Sequence, residues 1–157
     1  MIKRTAAGSD LDTILELFIK SIRHTCKNDY SYEQINAWIA SVKDRDKWLK
    51  RISEQYFILI EVTNRLAGFA SLANSNYIDL MYVHPHFKRQ GIATSLIREL
   101  LASTNASEIT TDASISAEPF FEKHGFEVVK ENRFKLRGVE ITNYRMTLLR
   151  QIPDTFN

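Results

Sequence analysis

The stretch HPHFKRQGIATSL, His84 to Leu96, sets two cations and one glycine where an extended segment gives way to a helical pattern. The chemistry such a turn offers is anion binding. The first turn of a helix leaves its amide hydrogens unpaired and carries roughly half a positive charge from the helix dipole. Gly91 has no Cβ to hold a ligand away, Ala93 is nearly as small, and Lys88 and Arg89 bring charge to the rim. A phosphate or pyrophosphate suits that arrangement. The competing reading of a Lys-Arg pair ahead of a helix is plain solvated surface. No G-x-x-x-x-G-K-[ST] occurs, which excludes a P-loop, and no G-x-G-x-x-G occurs to mark a dinucleotide fold.

The elements that position this turn follow from periodicity. Ile2 to Ala6 reads as a short strand, and Ser9-Asp10 as the cap of a helix carrying Leu11, Ile14, Leu15, Phe18, Ile19 and Ile22 to about His24. Ser31 and Gln34 form a capping box for a second helix with Ile35, Trp38 and Ile39 on one face. A third helical piece spans Asp46 to Ile52. The period then changes: Gln55 to Val62 and Leu66 to Ala73 read as a hairpin, and Tyr77 to Val83 as a third strand. Gly91 to Ala102 is a helix, Glu108 to Thr111 a strand, and Ser116 to His124 a short helix stopped by Gly125. Phe126 to Val129 and Ile141 to Leu148 close the series as strands. This order describes an α/β chain with a mixed sheet and helices on its faces, one domain over residues 1–157.

Bulk composition narrows the function. A net charge of +2 is too mild for a nucleic-acid face, which needs clustered cations. The longest apolar run, Phe57 to Ile60, cannot cross a bilayer, and the first residues lack an apolar signal core. One cysteine, Cys26, rules out an internal disulfide and suits a reducing cytoplasm, which is the expected location.

A second stretch, ASISAEPFFEKHGFE from Ala113 to Glu127, joins a strand end, a short amphipathic helix, a glycine stop and a new strand. Together with IDLMYVHPHFKRQGIATSLIREL it resembles the GNAT superfamily of acyl-CoA-dependent N-acetyltransferases. The main fingerprint of that superfamily, [RQ]-x-x-G-x-[GA] after a strand ending L-Y-V-x-P, is similar to Met81 to Pro85 followed by Lys88 to Ala93. Its second, N-x-x-A-x-x-[FL]-Y-E-K-x-G-F, is similar to Ser114 to Phe126. The INAW of the second helix, the DAS and PFFE segments and the late TN also resemble the small YafP-like bacterial branch.

The resemblance implies a central, mostly antiparallel sheet of six to seven strands with helices on both faces. It implies acetyl-CoA as co-substrate, no metal, and an amine acceptor on a monomer or homodimer. The amides of Lys88, Arg89, Gln90, Gly91, Ile92, Ala93 and Thr94 would hold the coenzyme A pyrophosphate. The backbone of Met81, Tyr82 and Val83 would pair with the pantetheine arm, Ser114 and Phe121 would line its other side, and Lys123 would reach the ADP end. Phe121 stands where many relatives carry a tyrosine thought to protonate the leaving thiolate, so that role is absent, filled elsewhere or left to water. The implied reaction is direct attack of a primary amine in a ternary complex; a non-catalytic acyl-CoA sensor is the alternative.

Acyl transfer needs a neutral amine, charge stabilisation at the thioester oxygen and alignment of both substrates. Asp79 interrupts an apolar strand and is the candidate base, equally readable as a structural Asp paired with a backbone N–H or an Arg. Glu61 reads as a strand-end surface residue and Asp112 as a cap near the site. Tyr144 is the candidate acid or a packed strand aromatic, and Asn143 contacts substrate or a neighbouring strand. For the acceptor the early helices offer His24, Tyr30, Tyr32 and Trp38; Trp38 has core spacing, while Tyr30 and Tyr32 fall in a loop. An aromatic lining favours a small, partly apolar amine. His84 and His86 lack a third ligand, so no metal is expected, and Cys26 lacks a partner base.

Overall fold

A computed structural model describes residues 1–151. Its strands are β1 (Ile2–Thr5), β2 (Tyr56–Val62), β3 (Arg65–Ala73), β4 (Tyr77–Val83), β5 (Glu108–Ser114), β6 (Glu127–Leu136) and β7 (Val139–Leu149). Its helices are α1 (Leu11–Thr25), α2 (Tyr32–Ile39), α3 (Arg45–Glu54), α4 (Ile92–Ala102) and α5 (Glu118–Lys123). The strands form one sheet in the order β1-β2-β3-β4-β5-β7-β6. The β4–β5 pair is parallel, and the other neighbours are antiparallel.

Local chemistry explains most of these boundaries. Ser31 and Gln34 cap α2 reciprocally, as their spacing predicts. Thr63 and Asn64 both take positive φ, the twist that a two-residue hairpin turn requires. Asp10 differs from expectation. Its carboxylate accepts from Arg4 and from the Ala7 amide and makes no cap bond to α1. The terminal hairpin differs more. Sequence periodicity ends β6 at Val129, yet the strand runs on to Leu136. Its second half, KENRFKL, is polar and solvated, so no apolar alternation announces it. Pairing with β7 through a tight turn at Arg137-Gly138, both at positive φ, holds it in place.

Alternation along the strands sorts apolar side chains onto two faces. On one face α1, α2 and α3 cover Phe57, Leu59, Phe69, Leu80 and Ile141. On the other α4 and α5 cover Ile58, Ile60, Ala70, Ile78 and Met146. Gly68 in β3 lets α4 come close: a Cβ there would meet Ile92 Cγ2 at 2.7 Å and the Tyr82 carbonyl at 3.1 Å.

Two features of β4 create the opening that matters for function. The β3–β4 register passes from Ser71↔Leu80 to Leu72↔Ile78, so Asp79 is the extra residue of a β-bulge. The bulge reverses the alternation: Ile78 packs towards α4, while Leu80 and Tyr82 pack towards α1. In addition, β4 and β5 pair only at Tyr77↔Thr110 and Ile78↔Thr111. Beyond that point the two strands separate and leave the β4 edge without a strand partner.

Candidate active site in the cleft between β4 and β5

The separation opens a cleft of about 1210 Å³ whose walls come from β4, β5, the start of α4, α5, the α1–α2 loop and the β6–β7 hairpin. Its two ends are built differently. At one end Gly91 is the N-cap of α4 with φ 80°, and having no side chain it makes no cap bond. The amides from Arg89 to Thr94 find no acceptor among the described residues, and the first backbone bond of the helix is Ser95 N–H to Gly91 O, 3.0 Å. Arg89 also takes a positive φ. The result is a run of amides turned outward at a positive helix end, with Lys88, Arg89 and Lys123 along the wall. The Lys88 amide is partly engaged, at 3.5 Å from the Pro85 carbonyl. A Cβ on Gly91 would meet nothing within 4 Å. Gly91 is therefore needed for its left-handed backbone, and the space it leaves is open to a ligand.

The other end is a floor of interlocked side chains on the α1–α3 face. Asp112 accepts from Arg145 Nε at 2.7 Å and Nη2 at 3.0 Å, from the Tyr77 hydroxyl at 2.7 Å and from Asn132 Nδ2 at 2.9 Å. Asn132 also donates to Asn143 Oδ1 at 2.8 Å. Burial alone would raise the Asp112 carboxyl; the Arg145 guanidinium and the Tyr77 hydroxyl outweigh it and hold the group below its ordinary value. The same burial and the Asp112 charge push the Tyr77 phenol up, so it stays a donor. Across the floor Asp79 Oδ2 accepts from Gln55 Nε2 at 2.9 Å and lies 3.2 Å from Arg51 Nε, with the Arg51 guanidinium stacked 5.0 Å above the Trp48 ring.

The structure brings most of the expected site residues to this cleft. Asp79, Met81, Tyr82, Val83, Lys88, Arg89, Gly91, Ile92, Ala93, Thr94, Ser114, Phe121 and Lys123 all line it, as do Tyr30, Trp38 and Asn143. Gln90 does not, and its side chain is exposed. Four placements differ from the sequence reading. Tyr144 alternates with Asn143 and Arg145 along β7, so it packs towards α4 and α5 and is not in the lining. Tyr32 is the first residue of α2, 76% exposed and outside the cleft. His24 is exposed in the last turn of α1. Tyr30 is buried rather than presented: its hydroxyl donates to the Thr142 carbonyl at 2.8 Å and accepts from the Ile115 amide at 2.9 Å. Burial pushes that phenol up to about 12, so it remains the donor that ties the α1–α2 loop to β7.

Smaller roles also resolve. The Ser114 hydroxyl accepts from the Ala117 amide at 3.0 Å and so shapes the turn into α5. Phe121 is 4% exposed with its ring edge-on to Phe126, contributing an apolar wall. Cys26 also lines the cleft, on the α1 side, its thiol pushed up by burial. His84 Nδ1 accepts from the His86 amide at 3.0 Å. Among the described residues no three His, Cys, Asp or Glu side chains group as metal ligands, and no helix is long and apolar enough to cross a membrane. Sequence reasoning missed Arg51, Tyr77, Asn132 and Arg145. The signal for the last was present: in ITNYR, Ile141, Asn143 and Arg145 share one side of the strand, and only Ile141 is apolar.

Comparison with known proteins places this architecture. The family model for an acetyltransferase (GNAT) domain matches residues 26–148. The chain belongs to the GNAT N-acetyltransferase family. It is 36% identical over 143 residues to the N-acetyltransferase YafP of Escherichia coli K12, covering 91% of this chain and 92% of that one. The crystal structure of a GCN5-related N-acetyltransferase from Rhodopseudomonas palustris superposes with a TM-score of 0.91 at 31% identity over 94% of both chains. The PaiA N-acetyltransferase of Thermoplasma acidophilum, solved with coenzyme A, shares the fold at TM-score 0.75 and 19% identity, over 94% of this chain and 98% of that one. The GNAT family and its YafP-like branch, expected from two short stretches, thus hold over nearly the whole chain, as does the mostly antiparallel sheet.

Proposed function

We propose that the chain transfers an acetyl group from acetyl-CoA to a primary amine by direct attack in a ternary complex. One observation carries this reading: the unpaired amides of Arg89 to Thr94 and the open edge of β4 share a single cleft. A linear ligand with a diphosphate at one end and an amide-bearing arm at the other fits that pair of features. The coenzyme A in the PaiA structure agrees with it.

The roles of this chain's residues follow. The amides of Arg89 to Thr94, aided by Lys88, receive the diphosphate, and Lys123 faces the nucleotide end. The backbone of Met81 to Val83 hydrogen-bonds the arm as an added strand, opposite Ser114 and Phe121. A free N–H on the β4 edge stabilises the thioester oxygen as it gains charge. Acetyl-CoA supplies the activated acyl group. Asp79 takes the proton from the amine, directly or through water. Arg51 and Gln55 engage its Oδ2, which fixes the carboxylate. Trp38 and Asn143 contact the acceptor. With phenylalanine at Phe121 and Tyr144 turned away, water protonates the departing thiolate.

Those same two residues favour a second reading, a module that binds acyl-CoA without turnover. A thiol-release assay with acetyl-CoA and a panel of primary amines separates the two. Amine-dependent release supports transfer; tight acetyl-CoA binding without release for any amine supports the module.

A further inference from the structure

The acceptor end of the cleft has a charge pattern that transfer to an arbitrary amine does not require. Five cationic side chains lie on its floor side, Lys47, Arg51, Lys130, Arg137 and Arg145, against two carboxylates, Asp79 and Asp112. Five minus two is an excess of three positive charges, greater than the +2 of the whole chain. Each carboxylate is already matched, Asp79 to Arg51 and Asp112 to Arg145. Lys47, Lys130 and Arg137 have no acidic partner among the described residues.

Arg51 is held as an anchor would be. Its guanidinium lies over the Trp48 ring and its Nε faces Asp79, while its two terminal nitrogens take no acceptor among the described residues. Lys47 stands one turn earlier on α3, on the same face, and also lines the cleft.

We propose that the acceptor is an amine that also carries an anionic group, a carboxylate or a phosphate, and that Arg51 with Lys47 holds that anion. This rests on the acetyl-transfer reading of the cleft and deepens it. A two-pronged guanidinium matches the geometry of both anions. The positive excess repels polycationic acceptors, draws anionic ones in, and favours the neutral form of the attacking amine. The apolar body of the acceptor lies against Trp38 and Phe134, which also line the cleft.

The test uses three acceptors with one body: phenethylamine, phenylalanine and 1-amino-2-phenylethylphosphonate. Binding of each to the CoA-loaded protein is measured by calorimetry, and turnover by thiol release. At least one anionic member is expected to bind about tenfold tighter than phenethylamine, and the member that does so tells carboxylate from phosphate. Lys47→Met and Arg51→Met are each expected to shrink that ratio at least fivefold, and added salt to shrink it too. Equal or tighter binding of phenethylamine overturns the proposal, as does an unchanged ratio in both variants or no binding by any of the three. Loss of CoA binding itself would instead sink the underlying reading of the cleft.

Discussion

The donor end of the cleft is made of backbone and the acceptor end of side chains, and the two respond to change in opposite ways. From Arg89 to Thr94 the ligand-facing groups are amides, presented because Gly91 and Arg89 hold positive φ. Of the side chains there, Arg89 and Gln90 are exposed, Ala93 and Thr94 are half-buried, and Ile92 packs into the core. On the floor below, Asp112, Arg145, Tyr77, Asn132 and Asn143 form one network in which each side chain is fixed by another. A backbone site survives many substitutions and fails when a dihedral is lost. A side-chain site keeps its backbone and fails when one partner goes.

The largest expected effect tests the acceptor end. Asp79→Asn removes the proposed base while keeping a side chain of similar size beside Arg51, and should lower kcat about 100-fold. An unchanged kcat in this variant removes Asp79 from proton handling. Gly91→Val then probes the donor end. A β-branched residue at φ 80° costs about 1–3 kcal/mol and turns the amides away, so CoA affinity should fall roughly 10- to 100-fold. Removing charge at the same end should do much less: Lys88→Ala is expected to weaken CoA binding only a few-fold, with a shallower salt dependence. If Lys88→Ala matched Gly91→Val, the donor site would be built of side chains after all.

The floor network gives a stability effect with a defined pH dependence. Asp112→Asn leaves Arg145 without its bidentate partner and should cost about 1–3 kcal/mol at pH 7. The folded Asp112 carboxyl is held below its ordinary value of 3.8. Its contribution is thus present above that value and is lost as pH falls through the depressed one. Urea unfolding of wild type and variant should differ at neutral pH and converge in acid; a gap independent of pH would show that the Asp112 charge is not what stabilises the floor. The smallest effect belongs to Tyr144→Phe. With its ring on the α4–α5 side, loss of the hydroxyl should change kcat less than twofold, and a large drop would restore it as the acid.

The same contrast explains what could be read from the sequence. A backbone site leaves a local trace, because amides that bind together are neighbours in the chain: Lys88 to Ala93 is legible in a single line. A side-chain site assembled by tertiary contact leaves little. Arg51, Asp79, Asp112 and Arg145 come from α3, β4, β5 and β7, and no spacing rule joins them. Asp79 was visible as a charge in an apolar strand, but its pairing with Arg51 was not. Parity decides between the two readings of Tyr144: one step along β7 exchanges the cleft face for the core face, so Tyr144 is the packed strand aromatic and Arg145, which carried no sequence expectation, faces the cleft. The length of β6 was hidden for another reason. It is a solvated edge strand specified by its partner and its turn, and its own polar residues carry no period.

The central claim, that backbone amides at the α4 N-terminus and the β4 edge bind coenzyme A, is tested most directly by following amide resonances of isotopically labelled protein during a CoA titration. The largest changes are expected at Arg89 to Thr94 and Leu80 to Val83. Changes confined to the β6–β7 hairpin, with Arg89 to Thr94 unmoved, would contradict it.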